Sequence, residues 1–123
     1  MSGSYLLDTN AIINALNLGL KLPRGNYSIS IITEMELLSF PKLKESEKTQ
    51  IKKLLQYFVI YNISEQIKNK TIEIRQTYNI KLPDSIIVAT ALVNNLTLIT
   101  NDKGLFKIKD LKILTLQELL QTQ

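Results

Sequence analysis

The sequence predicts an α/β protein, a three-layer α/β/α sandwich around a mostly parallel five-stranded sheet. Short runs of apolar and β-branched residues recur along the chain, and stretches with helical spacing of apolar residues separate them. Ser, Thr, Asp, Asn or Pro stands where several of those helices would begin. Strands that alternate with helices are joined by crossovers, which makes neighbouring strands parallel. No linker, repeat or low-complexity segment divides residues 1–123, so they read as one domain.

Tyr5-Leu6-Leu7 is the first strand, ending at Asp8. Thr9 or Asn10 can cap a helix carrying Ala11, Ile12, Ile13, Ala15 and Leu16. Leu18 to Asn26 contains Gly19, Pro23 and Gly25 and reads as a loop. Ser28-Ile29-Ser30-Ile31-Ile32 is partly alternating and β-branched, a second strand. Thr33-Glu34-Met35-Glu36 opens a helix that breaks near Pro41. Glu45 to Tyr57 is helical, with Ile51, Leu54 and Leu55 recurring at helical spacing, and Phe58 to Tyr61 forms a third strand. Ser64 caps a helix reaching Tyr78 through Ile67, Ile72 and Ile74. Pro83 suits the first position of a largely buried helix that runs to about Val93. Leu96 to Thr100 is the fourth strand and Leu111 to Leu114 the fifth. Thr115 and Glu118 then have the spacing of a capping box for a terminal helix.

The 123 residues include no histidine and no cysteine. That excludes imidazole acids and bases, thiolate nucleophiles, disulfides and the usual Cys/His zinc sites. Catalysis by such a chain rests on carboxylates, lysines, hydroxyls and hard metal ions held by oxygen. No apolar run approaches the roughly 18–20 residues that span a bilayer. Met1 to Asp8 has no basic n-region, which together with absent cysteine is the expectation for a cytoplasmic protein. Fifteen basic against eleven acidic residues give a net charge of +4, compatible with a polyanionic partner without singling one out.

Four aspartates occur: Asp8, Asp84, Asp102 and Asp110. Asp8 and Asp102 follow predicted strands at their carboxyl ends, the edge where open parallel sheets bind ligands. Glu36, in the first turn of the helix after strand two, emerges at the same edge. Asp84 shares its helix face with Ile87, Val88 and Ala91, so it points to an interior rim. No basic residue within one turn on that face is expected to pair with it. Carboxylates that converge repel one another unless a cation neutralises them, and Mg²⁺ or Mn²⁺ suits an all-oxygen donor set. Each acid also has a plainer reading. Asp8 can cap the first helix, Glu36 can complete a capping box with Thr33, Asp84 can meet the helix dipole, and Asp102 can start a turn with Lys103-Gly104.

Four ordered segments carry a resemblance to a known family. They are Leu6-Leu7-Asp8-Thr9-Asn10, Ile32-Thr33-Glu34-Met35-Glu36-Leu37, Leu82-Pro83-Asp84-Ser85-Ile86-Ile87-Val88-Ala89-Thr90-Ala91 and Leu98-Ile99-Thr100-Asn101-Asp102. Over nearly the whole chain they resemble the PIN domain, a metal-dependent nuclease family, and within it the VapC-like toxins of toxin–antitoxin pairs. The resemblance implies that Asp8, Glu36, Asp84 and Asp102 surround one or two divalent metals. Asn10 and the Thr100 hydroxyl would support them by hydrogen bonding, while Glu34 would face solvent or a lysine and Asp110 would be structural. It further implies an endoribonuclease, a cognate antitoxin reaching the carboxylates with a basic side chain, and a homodimer. Lys81 and Lys103 are candidates for flanking phosphates, with solvated surface charge as the plainer alternative. Many relatives carry a further acid soon after the last aspartate; this chain has Gly104 there.

Two other classes compete. A phosphorylated receiver domain also holds Mg²⁺ at strand ends, but strand three here ends Tyr61-Asn62 and strand five precedes Thr115-Leu116, without the aspartate and lysine that chemistry needs. A non-catalytic PIN-like module for RNA or protein binding remains the alternative. Ser39 and Lys42 have a Ser-x-x-Lys spacing, which Pro41 makes a coincidence.

Overall fold

Leu6 and Leu7 are neighbours in the first strand and both are fully buried, yet they enter different cores. Leu98 and Ile99 divide in the same way. Successive side chains of a strand point to opposite faces, so this sheet must be covered on both sides. The computed structural model, which describes residues 3–19 and 21–121, has that architecture. The expectations that touch Met1, Ser2, Leu20, Thr122 and Gln123 lie outside the described residues.

The elements run β1 (Gly3–Leu7), α1 (Thr9–Leu18), β2 (Gly25–Ser30), α2 (Ile31–Leu38), α3 (Glu45–Leu55) and β3 (Val59–Tyr61). They continue with α4 (Glu65–Thr77), α5 (Leu82–Val93), β4 (Thr97–Ile99), a 3-10 turn (Lys103–Leu105), β5 (Ile113–Leu114) and α6 (Leu116–Leu120). The sheet order is β3-β2-β1-β4-β5, and every neighbouring pair is parallel. One face packs against α4 and α5 through Ile67, Ile74, Ile86, Ile87 and Val88. The other packs against α1, α2, α3 and α6 through Ile12, Leu37, Ile51, Leu55 and Leu119. Burying each such side chain contributes roughly 2 kcal/mol, and this packing fixes the strand ends and whatever follows them. The chain builds outward from β1 to β3, then returns to place β4 on the other flank of β1. The carboxyl ends of β1 and β4 therefore lie side by side at the point where the strand order reverses.

Several boundaries move. The loop expected over Leu18–Asn26 yields Gly25 and Asn26 to β2, where Gly25 pairs with Gly3. The Tyr5 ring lies against this pair, and a Cβ at Gly25 would come within 2.9 Å of it, so a residue without a side chain lets the strands approach. At its other end β2 stops early. The Ser30 hydroxyl accepts the Ile32 N–H at 3.1 Å and caps α2, so Ile31 and Ile32 become its first turn instead of strand. Thr33 consequently sits inside α2, and the capping box between Thr33 and Glu36 does not form. Asp8, not Thr9 or Asn10, caps α1 by accepting the Ala11 N–H at 2.8 Å. Leu82 takes the first position of α5 and Pro83 the second. Ser64 caps α4 as expected, and Thr115 with Glu118 forms the capping box of α6. Among the described residues no helix is long and apolar enough to cross a membrane.

Candidate active site

Asp8 leaves the carboxyl end of β1 half-buried, held by two hydrogen bonds. It accepts the Ala11 N–H as the cap of α1 and a hydroxyl proton from Thr100. Thr100 follows β4 and is fully buried; its oxygen also accepts the Asp102 N–H at 3.0 Å. One hydroxyl thus ties the ends of the two adjacent central strands together. Asn101, between them, turns the other way and accepts the Leu116 N–H at the start of α6 at 3.2 Å.

Asp8, Thr9, Asn10, Glu36, Asp84, Phe40 and Ile87 line one cleft of about 180 Å³. Three of the four expected acids therefore share a wall. Glu36 projects from α2 and is exposed. Its Oε1 accepts a proton from the Thr9 hydroxyl at 2.6 Å, and Thr9 lies 3.2 Å from the hydroxyl of Thr33, which is fully buried. Asp84, in the first turn of α5, is half-buried beside Ile87, as its helix face predicted. Asp102 stands apart: it does not line the cleft, and its Oδ1 accepts the Gly104 N–H at 2.9 Å. The glycine that replaces a further acid thus holds Asp102 at the cap of the 3-10 turn. Asn10 borders the cleft, exposed, with no side-chain hydrogen bond among the described residues.

Electrostatics binds Asp102 to the others all the same. Burial pushes the Asp8 carboxyl above its usual range against the pull of its hydrogen bonds, and the charges of Asp84 and Asp102 push it further. Burial does the same to Asp84, reinforced by Asp102 and Glu36. Lys81, which caps α5, pulls the other way. This corrects the expectation that Asp84 has no basic neighbour within a turn: the cap position supplies one. Among the described residues the ion pairs are Glu45–Lys48, Glu65–Lys68 and Glu73–Lys70, all on α3 and α4, and none engages the four acids. Nor, among the described residues, do any three acids stand close enough to form a ready-made metal cage. The donor set fits a hard divalent cation in chemistry and in charge, and the side chains would have to draw in to share one.

Other residues keep modest roles. Glu34 is half-buried and borders a depression with Lys52, and no ion pair joins the two among the described residues. Asp110 adopts a left-handed backbone, φ 66°, that its short polar side chain tolerates. The Ser39 hydroxyl donates to the Met35 carbonyl, which leaves nothing of a Ser-x-x-Lys arrangement. Thr9 and Thr33 were not singled out as site residues from sequence, because nothing local distinguishes their hydroxyls from those of helix caps.

Residues 5–111 match the family model of the PIN domain. Among solved structures, a chain of the toxin–antitoxin complex from Klebsiella pneumoniae is 33% identical with a TM-score of 0.75, over 92% of this chain and 98% of that one. A chain of VapBC-1 from nontypeable Haemophilus influenzae is 27% identical with a TM-score of 0.78, over 92% and 98%. A chain of VapBC2 from Rickettsia felis, bound to a DNA fragment from its promoter, is 26% identical with a TM-score of 0.77, over 90% and 97%. No curated protein matches the chain. With the fold, the ordered motifs and these likenesses together, the chain belongs to the PIN domain family and is similar within it to the VapC-like toxins.

Proposed function

We propose that the chain is a metal-dependent endoribonuclease, hydrolysing RNA phosphodiester bonds, and the toxin of a toxin–antitoxin pair. Residues 1–123 would act as one PIN-like domain. The observation that carries this reading is the gathering of Asp8, Glu36 and Asp84 in one cleft, within the field of Asp102 and without an ion-pair partner among the described residues. Asp8, Glu36, Asp84 and Asp102 would hold Mg²⁺ or Mn²⁺. When bound, that ion would supply an acidified water and offset the charge that builds on the phosphate.

The chain's own groups then have distinct tasks. Thr100 orients Asp8 through its hydroxyl, and Asn10 offers an amide at the cleft mouth. A carboxylate left free of the metal accepts a hydrogen of the attacking water and so aims it. Lys81, whose charge already reaches Asp84, and Lys103, one residue beyond Asp102, would meet flanking phosphates.

An antitoxin partner is supported by a second cleft. An apolar groove of about 270 Å³, lined by Ile13, Leu16, Leu37, Phe40 and Ile51 among others, shares Phe40 with the acidic cleft. A partner segment lying there would bring a basic side chain within reach of the carboxylates. The homodimer reading is supported by Ile63, just before α4, and Ile72, within it, which are 45% and 50% exposed.

The test is cleavage of assorted RNAs with Mg²⁺ or Mn²⁺ by the wild type, Asp8→Asn and Asp84→Asn. Cleavage by the wild type that fails in both variants is expected. Equal activity in all three would sink the reading, and RNA bound but uncut under every condition would favour a non-catalytic binding module.

A further inference from the structure

Glu36 presents a physical oddity. It is exposed, has three rotatable bonds and takes part in no ion pair among the described residues, so water and entropy should leave it in many poses. Instead it is held over the cleft by the 2.6 Å bond from Thr9. Thr9 follows Asp8 directly, and its hydroxyl has no part in capping α1, since the Asp8 carboxylate does that. A hydroxyl has one proton, and a carboxylate only accepts, so the Thr9 proton goes to Glu36. Thr33 lies wholly buried 3.2 Å behind, and its hydroxyl needs a partner; it supplies its proton to the Thr9 oxygen. The three form a directed chain, Thr33 to Thr9 to Glu36, across 24 and 27 residues of sequence.

We infer that Thr9, backed by Thr33, is a positioning residue that holds Glu36 through Oε1 and leaves Oε2 to meet a divalent cation in the cleft. The inference rests on the metal-dependent reading above. It accounts for how an exposed glutamate on α2 joins Asp8 and Asp84 although each comes from a different element. The anchor is the residue next to Asp8, so the spacing of the two acids follows from the backbone of α1. Thr33 stiffens the anchor from the buried side of α2.

The experiment measures Mn²⁺ affinity by calorimetry, without RNA, for the wild type, Asp8→Asn, Thr9→Val, Thr9→Ser, Thr33→Val and Glu36→Gln, alongside RNA cleavage. Valine keeps the shape of threonine and removes its hydroxyl. Thr9→Val is expected to bind Mn²⁺ about tenfold more weakly, the equivalent of one hydrogen bond to a charged group. Thr9→Ser recovers most of the affinity, and Thr33→Val loses less than Thr9→Val. Adding Thr9→Val to Glu36→Gln costs little more, because the two act on one interaction. Wild-type affinity in Thr9→Val, or an equal loss in Thr9→Ser, would overturn the role of the hydroxyl. Failure of the underlying reading looks different: Mn²⁺ then binds Asp8→Asn and the wild type alike.

Discussion

Asp84 is held where its charge is disfavoured, by burial first and then by Asp102 and Glu36, with Lys81 alone opposing. A neutral side chain of the same shape escapes both penalties. Asp84→Asn is therefore expected to melt higher than the wild type in EDTA, by about 3 °C for a gain of under ~1 kcal/mol at a site open to water. Added Mn²⁺ reverses the order, because the wild type gains stability from an ion the variant binds poorly. Cleavage of RNA by the variant falls by about a hundredfold or more, the scale for losing a group that acts on transition-state charge. A variant that melts lower in EDTA would mean that the carboxylate has a structural bond to keep. The positions of Asp8 and Asp84 were legible in the sequence because they are local, after a strand end and in a helix's first turn. Glu36, expected in the first turn of its helix, falls in the second instead, because α2 already starts at Ile31. The relay through Thr9 and Thr33 was not legible, since its members meet only when α1 packs against α2.

At the scale of elements, the site depends on the ends of β1 and β4 being tied, and Thr100 ties them. Thr100→Val preserves the volume of a fully buried side chain while leaving the Asp102 N–H unpaired and Asp8 short of a donor. The expected cost is about 2 kcal/mol, seen as a lower urea midpoint with an unchanged slope. Thr100→Ser should recover most of it. A wild-type midpoint for the valine variant would show that the two strand ends hold their places without the hydroxyl. Most elements were readable from their caps and periodicity, as Ser64 and the Thr115–Glu118 box illustrate. The junction of β2 and α2 was not. Ser28 to Ile32 has the composition of a strand throughout, and what ends it at Ser30 is a hydroxyl turned onto the next helix. Gly25 was misread for a related reason, because its demand comes from the Tyr5 ring on the neighbouring strand.

At the scale of the whole molecule, net charge and local charge oppose each other. The chain carries a net +4, while the cleft at the strand reversal is lined by unpaired carboxylates. Polyanions are drawn toward the surface from a distance, yet a phosphate entering the cleft without a cation meets repulsion. On the proposed reading lysines near the acids carry the encounter: Lys81, whose charge acts on Asp84, and Lys103, which directly follows Asp102. Their contribution can be counted by salt dependence. For Asp8→Asn, which should bind RNA without cutting it, log K is expected to fall linearly with log salt in fluorescence anisotropy. Replacing both lysines by alanine should reduce that slope by about 1.4, since each single-strand phosphate contact contributes roughly 0.7. The loss should be nearly uniform across RNA sequences, because phosphate contacts position the strand without reading bases. An unchanged slope would make both lysines ordinary surface charges and move the RNA path elsewhere on the basic surface. A reduced slope would instead fix that path across the reversal point of the sheet, where β1 and β4 bring their acids together.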